Sequence, residues 1–562
     1  MPNQQVTFFS RFWNLLKSDR QEIRNIYLFS ILSGLLSLGL PLGIQVIINF
    51  IELGQLSTSW FVLVFLVVLS IGFSGLLNIF QLRITENLQQ RIFTRSAFEF
   101  AGRIPKFKWT KEFQHFSYEL THRFFDTLTI QKGLSKLLID FTAAILQLVF
   151  CLVLLSFYHS FFIFLGLFLV FVLLIIIRFT GKHGMYTSLE ESSYKYKIAH
   201  WLKEVSRARF SFSMAGMHSF HLVKTDQYVH GYLNARDQHF KVLVKQYTYL
   251  IFFKVLIALS FLIIGGILVI QQQMNIGQFV ASEIIILLIL SAVEKLILSI
   301  EVVYDVLTAV EKIGQVTDLE IEEEGTHSLT LEDTSQIELS FHDVGLQLSQ
   351  QTVLLDQFDF ELKPCEKVCI VSDSSLTTDA IFSLITAQKQ PDGGNVTCNG
   401  IPLQNLNPSV LREQIGTLLS KDKLIQSSLL ENILFGRDHV STTALDQWMN
   451  QLGLKSYLFQ LDNTYESILY PEQGTIPRDV ERKLLLCRAL IGNPSILLID
   501  EPTAGLTSDQ RQLILDTIFA QTQKSILIAS TDSTVMERCD RIIECSAGKI
   551  IFDGNYQSFQ LK

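Results

Sequence analysis

Long apolar runs dominate the N-terminal half of the chain. Each holds about 20 residues with few charges, the length a helix needs to cross the ~30 Å hydrocarbon core of a bilayer. Tyr158 and His159 alone separate the third run from the fourth, which predicts a tight hairpin, and Pro41 should kink the first. The pattern predicts six membrane-spanning helices, at about residues 26–50, 59–82, 137–158, 160–180, 249–272 and 277–300.

The charges between these runs predict the orientation in the membrane. The long loops 83–136 and 181–248 are rich in Lys and Arg, whereas the connections 51–58 and 271–276 contain neither. Because positively charged loops stay on the cytoplasmic side, both long loops and both termini are predicted to be cytoplasmic. The long loops have a helical pattern, so we expect the spanning helices to continue beyond the bilayer.

Composition limits the class of protein. The chain has 562 residues, of which 48% are hydrophobic and 18% charged, with a mean hydropathy of +0.31. It is too apolar for an ordinary soluble enzyme and too charged to lie wholly in a membrane. Its net charge of −8 argues against a nucleic-acid partner. The seven cysteines fall in spans or predicted cytoplasmic segments, so we expect reduced thiols.

Two segments flank the apolar region. Residues 8–17 mix aromatic and basic side chains and predict an amphipathic helix at the membrane interface. Residues 316–336 contain seven Asp and Glu residues and predict a linker. The chain is therefore divided into a membrane domain at 1–315, this acidic linker, and a soluble α/β domain at 337–562.

One strand of the second domain carries the clearest chemical signal. Residues 495–500 form an apolar strand that ends in Asp500, and Glu501 follows directly. A buried strand that delivers adjacent carboxylates to its end suits Mg²⁺ and water handling in a nucleoside triphosphatase. Together with residues 487–494, this block resembles the Walker B region of ABC transporter ATPases.

The layout of the whole chain resembles a half-size ABC exporter. The resemblance implies an α-helical six-span membrane domain followed by an α/β P-loop-type ABC ATPase domain. It also implies a dimer in which each ATP site uses the phosphate loop of one subunit and the signature segment of the other. Residues 118–126 resemble the first cytoplasmic coupling segment of the family. The membrane part is most similar to exporters of the toxin and peptide secretion branch.

The phosphate loop of the family is altered here. The family pattern is G-x-x-G-x-G-K-S/T, whose backbone N–H groups wrap phosphates, whose lysine neutralises charge and whose hydroxyl holds Mg²⁺. Residues 372–379 occupy this place, and the helical pattern resumes at Ala380. Thr378 replaces the lysine and Asp379 replaces the hydroxyl, so negative charge stands where a triphosphate belongs.

Other motifs of the family are replaced as well. Lys421 stands for the glutamine that senses the γ-phosphate, and Thr531 for the switch histidine. The signature L-S-G-G-Q corresponds to residues 476–480. Leu348 provides no ring to stack on adenine, and Thr507 replaces the aspartate at the dimer contact. Since the phosphate loop and the signature are lost from one subunit, any dimer would have a defective element at both sites.

The retained acids have two interpretations. Asp500 would be the Mg²⁺ ligand and Glu501 the general base if catalysis survives. The alternative, which we favour, is that both are idle residues of a folded relic, because the other groups that would use them are gone.

Two charges inside the spans are predicted to lie at matching depth. Lys254 is in the fifth span and Glu294 in the sixth, each about 17 residues from the outer turn, or ~25 Å along a helix. A structural ion pair near the cytoplasmic interface is favoured over a contact with substrate.

Three functions follow. The first is an ABC exporter half-subunit with a degenerate ATP site, without ATP hydrolysis of its own and without a cofactor, which supplies half of a pathway for a peptide, protein or hydrophobic substrate. The second is an altered subunit of a heterodimeric exporter that binds ATP and Mg²⁺ and supports slow, partner-dependent hydrolysis. The third is a non-transporting membrane scaffold or regulator. Expected partners are the membrane, an ABC half-transporter in a homo- or heterodimer, and a periplasmic adaptor protein. The expected location is the cytoplasmic (inner) membrane.

Overall fold

The computed structural model describes residues 8–52, 58–108, 120–216, 218–323, 325, 337–349, 352–437, 440–460 and 464–561. The chain divides into two compact units, residues 1–320 and 321–562. Residues 324 and 326–336 of the predicted linker lie outside the described part. Residues 118 and 119 of the predicted coupling segment lie outside it as well.

The first unit is built from helices. Short 3₁₀ turns at Lys17–Asp19 and Ile104–Lys106 and a π-helical turn at Leu137–Phe141 join some of them. The α-helices are α1 (Phe8–Leu16), α2 (Arg20–Ser37), α3 (Gly39–Glu52), α4 (Thr58–Arg103), α5 (Leu120–Phe124), α6 (Asp126–Lys136), α7 (Thr142–Ser156), α8 (Phe161–Arg207), α9 (Arg209–Met214), α10 (Phe220–Ile270) and α11 (Ile276–Thr317).

The prediction of six apolar, membrane-length helices is confirmed in the described part of the chain. They also extend past the predicted spans, as the loop pattern indicated. Helix α8 has 47 residues and α10 has 51. At ~1.5 Å per residue each is longer than ~70 Å, more than twice the ~30 Å hydrocarbon core. One boundary was wrong: α7 ends at Ser156 and α8 begins at Phe161, so the connection is 157–160 rather than two residues.

The first span is two helices rather than one kinked helix. Helix α2 ends at Ser37 and α3 restarts at Gly39, with Leu38 between them. Pro41 therefore lies in the first turn of α3, where a helix has no internal partner for its N–H groups. A proline there removes no hydrogen bond, and Leu42 N–H donates normally to Leu38 O at 3.2 Å.

The second unit alternates strands and helices. Its strands are β1 (Leu339–Ser349), β2 (Thr352–Leu362), β3 (Lys367–Ser372), β4 (Gly393–Cys398), β5 (Ile401–Pro402), β6 (Ile415–Leu418), β7 (Ile496–Asp500), β8 (Ser525–Ala529), β9 (Arg541–Ser546) and β10 (Lys549–Gly554). Its helices are α12 (Ser375–Ile385), α13 (Pro408–Glu413), α14 (Leu429–Leu434), α15 (Thr442–Gln451), α16 (Lys455–Gln460), α17 (Arg478–Ile491), α18 (Ser508–Phe519), α19 (Ser533–Met536) and α20 (Tyr556–Gln560).

The strands form two sheets. One has the antiparallel order β2-β1-β4-β5, and the other has the order β10-β9-β3-β8-β7-β6. From β9 to β6 the neighbours in the larger sheet run parallel. Its central strands are apolar along their length because core clusters bury both faces. The α/β prediction for this domain is confirmed.

Candidate functional site

Four parallel strands bring the predicted site residues to one edge of the larger sheet. Strands β3, β8, β7 and β6 are consecutive neighbours, so their carboxyl ends lie side by side. They lead respectively into residues 372–374, 530–532, 500–501 and 419–421. In open parallel sheets this edge is where ligands bind. The structure thus gathers the predicted phosphate loop, switch segment, acid pair and γ-phosphate sensor into one place.

The loop after β3 is shorter than predicted. Helix α12 begins at Ser375, five residues before Ala380, and Ser374 caps it by accepting a hydrogen bond from Leu376 N–H at 3.3 Å. No residue from 372 to 379 has a positive φ. With serine and threonine in place of glycine, the backbone has no residue suited to left-handed turns, and a serine cap starts the helix early.

The residues that replace the lysine and the Mg²⁺ hydroxyl belong to this helix. Thr378 is 7% exposed, and its hydroxyl donates to Ser375 O at 2.9 Å. Asp379 is half-buried one residue further on. Asp373 accepts a hydrogen bond from Ser546 Oγ at 2.8 Å. The loop and first turns therefore carry two carboxylates and no cation.

A pair of lysines lies beside this helix. Lys421 Nζ is 3.3 Å from Gln388 Oε1 and 3.4 Å from Ser383 Oγ. Burial and the nearby Lys421 charge lower the pKa of Lys389, while Asp379 opposes that change. Lys421 was identified from the sequence. Lys389 was not, because nothing in its local sequence marks it.

The two acids at the end of β7 accept hydrogen bonds from within the domain. Asp500 Oδ2 accepts a hydrogen bond from Ser420 Oγ at 2.6 Å. Glu501 accepts from Ser530 Oγ at 3.3 Å and from Thr531 N–H at 3.2 Å. Glu501 has a φ of +43°, and its own N–H donates to Ala529 O at 2.9 Å. That bond to β8 holds Glu501 in a backbone conformation that is otherwise unfavourable.

Thr531 occupies the position of the switch histidine, and it has no imidazole ring. Its side chain is exposed. The next residue, Asp532, accepts hydrogen bonds from Thr503 Oγ1 at 2.9 Å and from Thr534 N–H at 3.0 Å. Asp532 was missed in the sequence; its position as the cap of a short helix, followed two residues later by threonine, is the signal that identifies it.

The helix at the signature position also carries acids. Helix α17 begins at Arg478, and Pro477 before it supplies no side-chain cap. Asp479 and Glu481 lie in its first turn. Asp479 Oδ2 is 3.6 Å from Lys483 Nζ and accepts from Gln510 Nε2 at 3.0 Å. These carboxylates complement the positive end of the helix dipole, the place where a phosphate would bind.

The remaining predicted residues lie apart from this edge or in the other unit. Leu348 is 47% exposed on β1. Thr507 caps α18 in a capping box with Gln510. In the membrane unit, Lys254 Nζ lies 3.1 Å from Glu294 Oε2, across α10 and α11.

Comparisons with known proteins identify the architecture. Residues 355–504 match the ABC transporter family model. The structure superposes on a bacterial Atm1-family ABC exporter solved with ATP bound, with a TM-score of 0.80 over 96% of both chains and 16% identity. This chain carries an ABC transporter domain within an ABC exporter fold. The predicted family resemblance and fold class are confirmed, and the chain is a multi-span membrane protein of this type.

The curated relatives of this chain include a flippase and a translocation protein. The chain is 26% identical over 254 residues to an ATP-dependent lipid A-core flippase of Saccharophagus degradans. It is 26% identical over 298 residues to the alpha-hemolysin translocation ATP-binding protein HlyB of Escherichia coli. These alignments cover 45% and 52% of this chain, and 43% and 42% of the relatives, so each spans less than half the length of the relative.

The ABC fold implies a nucleotide with Mg²⁺, and the residues here fit it poorly. The ABC domain offers no glycine loop after β3. Asp479 lies in the first turn of α17, and Asp379 lies in the second turn of α12, whose first turn carries no acid. The hydroxyl of Thr378 and the carboxylates of Asp500 and Glu501 already have partners inside the domain. Among the described residues, no group of three His, Cys, Asp or Glu side chains forms a metal site.

Proposed function

We propose that this chain is one half of a dimeric ABC exporter whose own nucleotide site neither binds nor hydrolyses ATP. It would contribute half of a transmembrane pathway for a peptide, protein or hydrophobic substrate. Energy for transport would come from a partner ABC half-transporter.

The observation that carries this proposal is the charge at two helix N-termini. The family binds phosphates with the N-terminus after β3 and with the signature helix of the partner. At the first of these, Asp373 precedes the cap residue Ser374 and Asp379 lies in the second turn of α12; at the second, Asp479 and Glu481 lie in the first turn of α17. A carboxylate at such a position complements the helix dipole itself and repels a phosphate. Both elements of one subunit thus oppose a triphosphate.

The same observation favours a heterodimer. In a head-to-tail dimer each site combines the phosphate loop of one subunit with the signature helix of the other. A homodimer of this chain would have acids in the first turn of both signature helices and close to the start of both copies of α12. With an intact partner, each site would still contain one sound element. We therefore propose a heterodimer in the cytoplasmic membrane, with both termini cytoplasmic, and a periplasmic adaptor as a further partner.

Calorimetric titration of the purified full-length chain with Mg²⁺–ATP tests this. Loss of the lysine, the loop donors and the adenine ring removes several contacts of ~1–3 kcal/mol each, which weakens a micromolar site to about millimolar or beyond. We expect no saturable binding below about 1 mM and no turnover. A micromolar dissociation constant would overturn the proposal.

A matched pair of variants tests the retained base. We expect Glu501→Gln to leave any residual ATP turnover unchanged, as does Glu466→Gln, which removes an exposed carboxylate elsewhere in the same domain. Mg²⁺-dependent turnover that is abolished by Glu501→Gln and kept by Glu466→Gln would contradict the idle role of Glu501.

A second candidate is an altered nucleotide site with slow, partner-dependent hydrolysis. It is favoured by the lysine pair, because Lys421 brings an ammonium group within 3.4 Å of Ser383 Oγ on α12. This cation would neutralise part of the phosphate charge that the missing loop lysine neutralises in the family. Lys421→Ala would then weaken ATP binding in the assembled dimer, whereas under the leading proposal it changes nothing at this site.

A further inference from the structure

Five side chains form one stripe where the N-terminal helix meets the first span. Trp13, Lys17, Arg20, Arg24 and Tyr27 are spaced by four, three, four and three residues. They belong to α1, the 3₁₀ turn and α2, and all five line one cavity. We call this set the basic stripe. All three of its cations are exposed.

The acids of the same segment point the other way. Asp19 is 4% exposed and accepts a hydrogen bond from Arg95 Nη2 at 3.0 Å. Glu22 accepts from Arg91 Nη1 at 2.5 Å. Both carboxylates are thus neutralised by arginines of α4. Charge on this stretch is separated by face, with acids turned inward and cations outward.

The cations of the basic stripe have no counter-charge among the residues that the structure describes. Within the described residues, no carboxylate lies within 4.0 Å of Lys17, Arg20 or Arg24 nitrogens, although Arg91 and Arg95 nearby have such partners. Arg20 and Arg24 also lie four residues apart on one helix, an arrangement that is unfavourable for like charges. A bound anion would relieve that repulsion.

A cavity of about 530 Å³ opens along this stripe. The five side chains of the basic stripe line it, and the apolar side chains of Leu16 and Ile23 complete its lining. Leu16 is 2% exposed and Ile23 is 7% exposed, so both are also anchored in the core of the unit. The cavity therefore combines a cationic rim with an apolar base.

The wall formed by α1 is held in place. Arg11 Nη2 donates to Asp318 Oδ2 at 2.6 Å, and Arg11 also pairs with Glu311, both contacts reaching the end of α11. Since Leu16 packs into the core on the same helix, α1 is fixed at two points. Trp13 thus lines the cavity from a helix that is held in place.

We propose that this cavity binds the phosphate headgroup of an anionic phospholipid. The first apolar run begins at about residue 26, so Arg24 and Arg20 lie about half a turn and two turns outside the hydrocarbon boundary, at headgroup depth. Trp13 and Tyr27 are the aromatic types that occupy this depth. Three cations attract anionic lipid, and the apolar base accepts the glycerol and upper acyl chain. A soluble anion would not need that apolar base beside a span.

Native mass spectrometry of the full-length chain in detergent tests this with two lipids. Phosphatidylglycerol and phosphatidylcholine of the same acyl chains are titrated separately. We expect one phosphatidylglycerol to be retained per chain, with a preference of about tenfold or more over phosphatidylcholine. Arg20→Gln with Arg24→Gln should reduce that preference by about tenfold. Arg83→Gln with Arg178→Gln, two exposed arginines near the ends of other spans, is the matched control and should leave it unchanged.

The other outcomes are decisive. Equal retention of the two lipids, or an equal loss in the test and control variants, would overturn the proposal in favour of general surface charge. Displacement of phosphatidylglycerol by inorganic phosphate at about equal concentration would identify a free-anion site instead. If the double variant does not fold, Trp13→Ala replaces it, and unchanged retention in that variant would contradict the site. None of these results depends on ATP binding, so they are independent of the proposed transport function.

Discussion

Ser420 Oγ lies 2.6 Å from Asp500 Oδ2, and the hydroxyl donates a hydrogen bond to the carboxylate. Ser420 follows β6, Asp500 ends the neighbouring parallel strand β7, and the two residues are 80 positions apart in the chain. The acid that corresponds to the Mg²⁺ ligand of the family thus accepts a hydrogen bond from a serine of this domain.

We expect this hydrogen bond to contribute about 1 kcal/mol to stability. A bond to a charged group contributes ~1.5–3 kcal/mol when buried, and partial exposure of both side chains reduces that. Ser420→Ala and Asp500→Ala should each lower the melting temperature, and the double variant should lose less than the sum. Thr531→Ala, exposed at the same sheet edge, is the control and should stay within ~0.5 kcal/mol. Additive losses in the double-mutant cycle would contradict the coupling.

Asp532 makes the stability of this domain depend on pH. Burial raises the pKa of Asp532, but hydrogen bonds from Thr534 and Thr503 outweigh it and hold the pKa below its ordinary value. Its contribution to stability is therefore present above the unfolded value of ~3.9 and is lost as pH falls through the lower folded value. Between about pH 5 and pH 3, the wild-type melting temperature should fall more steeply than that of Asp532→Asn. Parallel curves for the two proteins would show that Asp532 has no such role.

Lys254 and Glu294 provide a test of charge pairing within the spans. Their contact of 3.1 Å joins α10 to α11. Lys254→Leu or Glu294→Leu alone leaves one unpaired charge in the membrane, at a cost of about 2–3 kcal/mol. The double variant removes both charges and should be milder than either single change. Melting temperatures in a double-mutant cycle measure this.

Glu283 supplies the matched control for that cycle. It is an exposed acid on the same helix, and no cation lies within ion-pair distance among the described residues. Glu283→Leu should add independently to Lys254→Leu. If Glu294→Leu is equally additive, the ion pair contributes nothing.

The predicted orientation is tested by cysteine labelling with an impermeant thiol reagent. Of the seven cysteines, Cys365 is exposed and the others are buried. The Cys365→Ser variant should therefore show little labelling of its native cysteines. Gln273→Cys lies in the connection between α10 and α11 and should react from outside. Met214→Cys, at a site 65% exposed in the second long loop, should not. Labelling of position 214 from outside would contradict the predicted orientation.

The sequence determined the spans, the fold class and the altered motifs. A spanning helix satisfies its backbone hydrogen bonds within one segment, so a run of apolar residues is enough to predict it. The acid pair at 500–501 and the substitutions at Thr378, Asp379, Lys421 and Thr531 are likewise local facts of the chain. That these substitutions abolish ATP binding remains a prediction.

Only the tertiary structure decided what those residues contact. The helix start at Ser375 depends on a serine cap that competes with the expected loop, and the periodicity of the sequence did not reveal it. The partner of Asp500 is 80 residues away, and the arginine that neutralises Asp19 is 76 residues away. Contacts between distant segments depend on strand order and helix packing, which no local pattern encodes. For the same reason the separation of acids from cations around residues 17–27 became visible only once α4 was packed against α2.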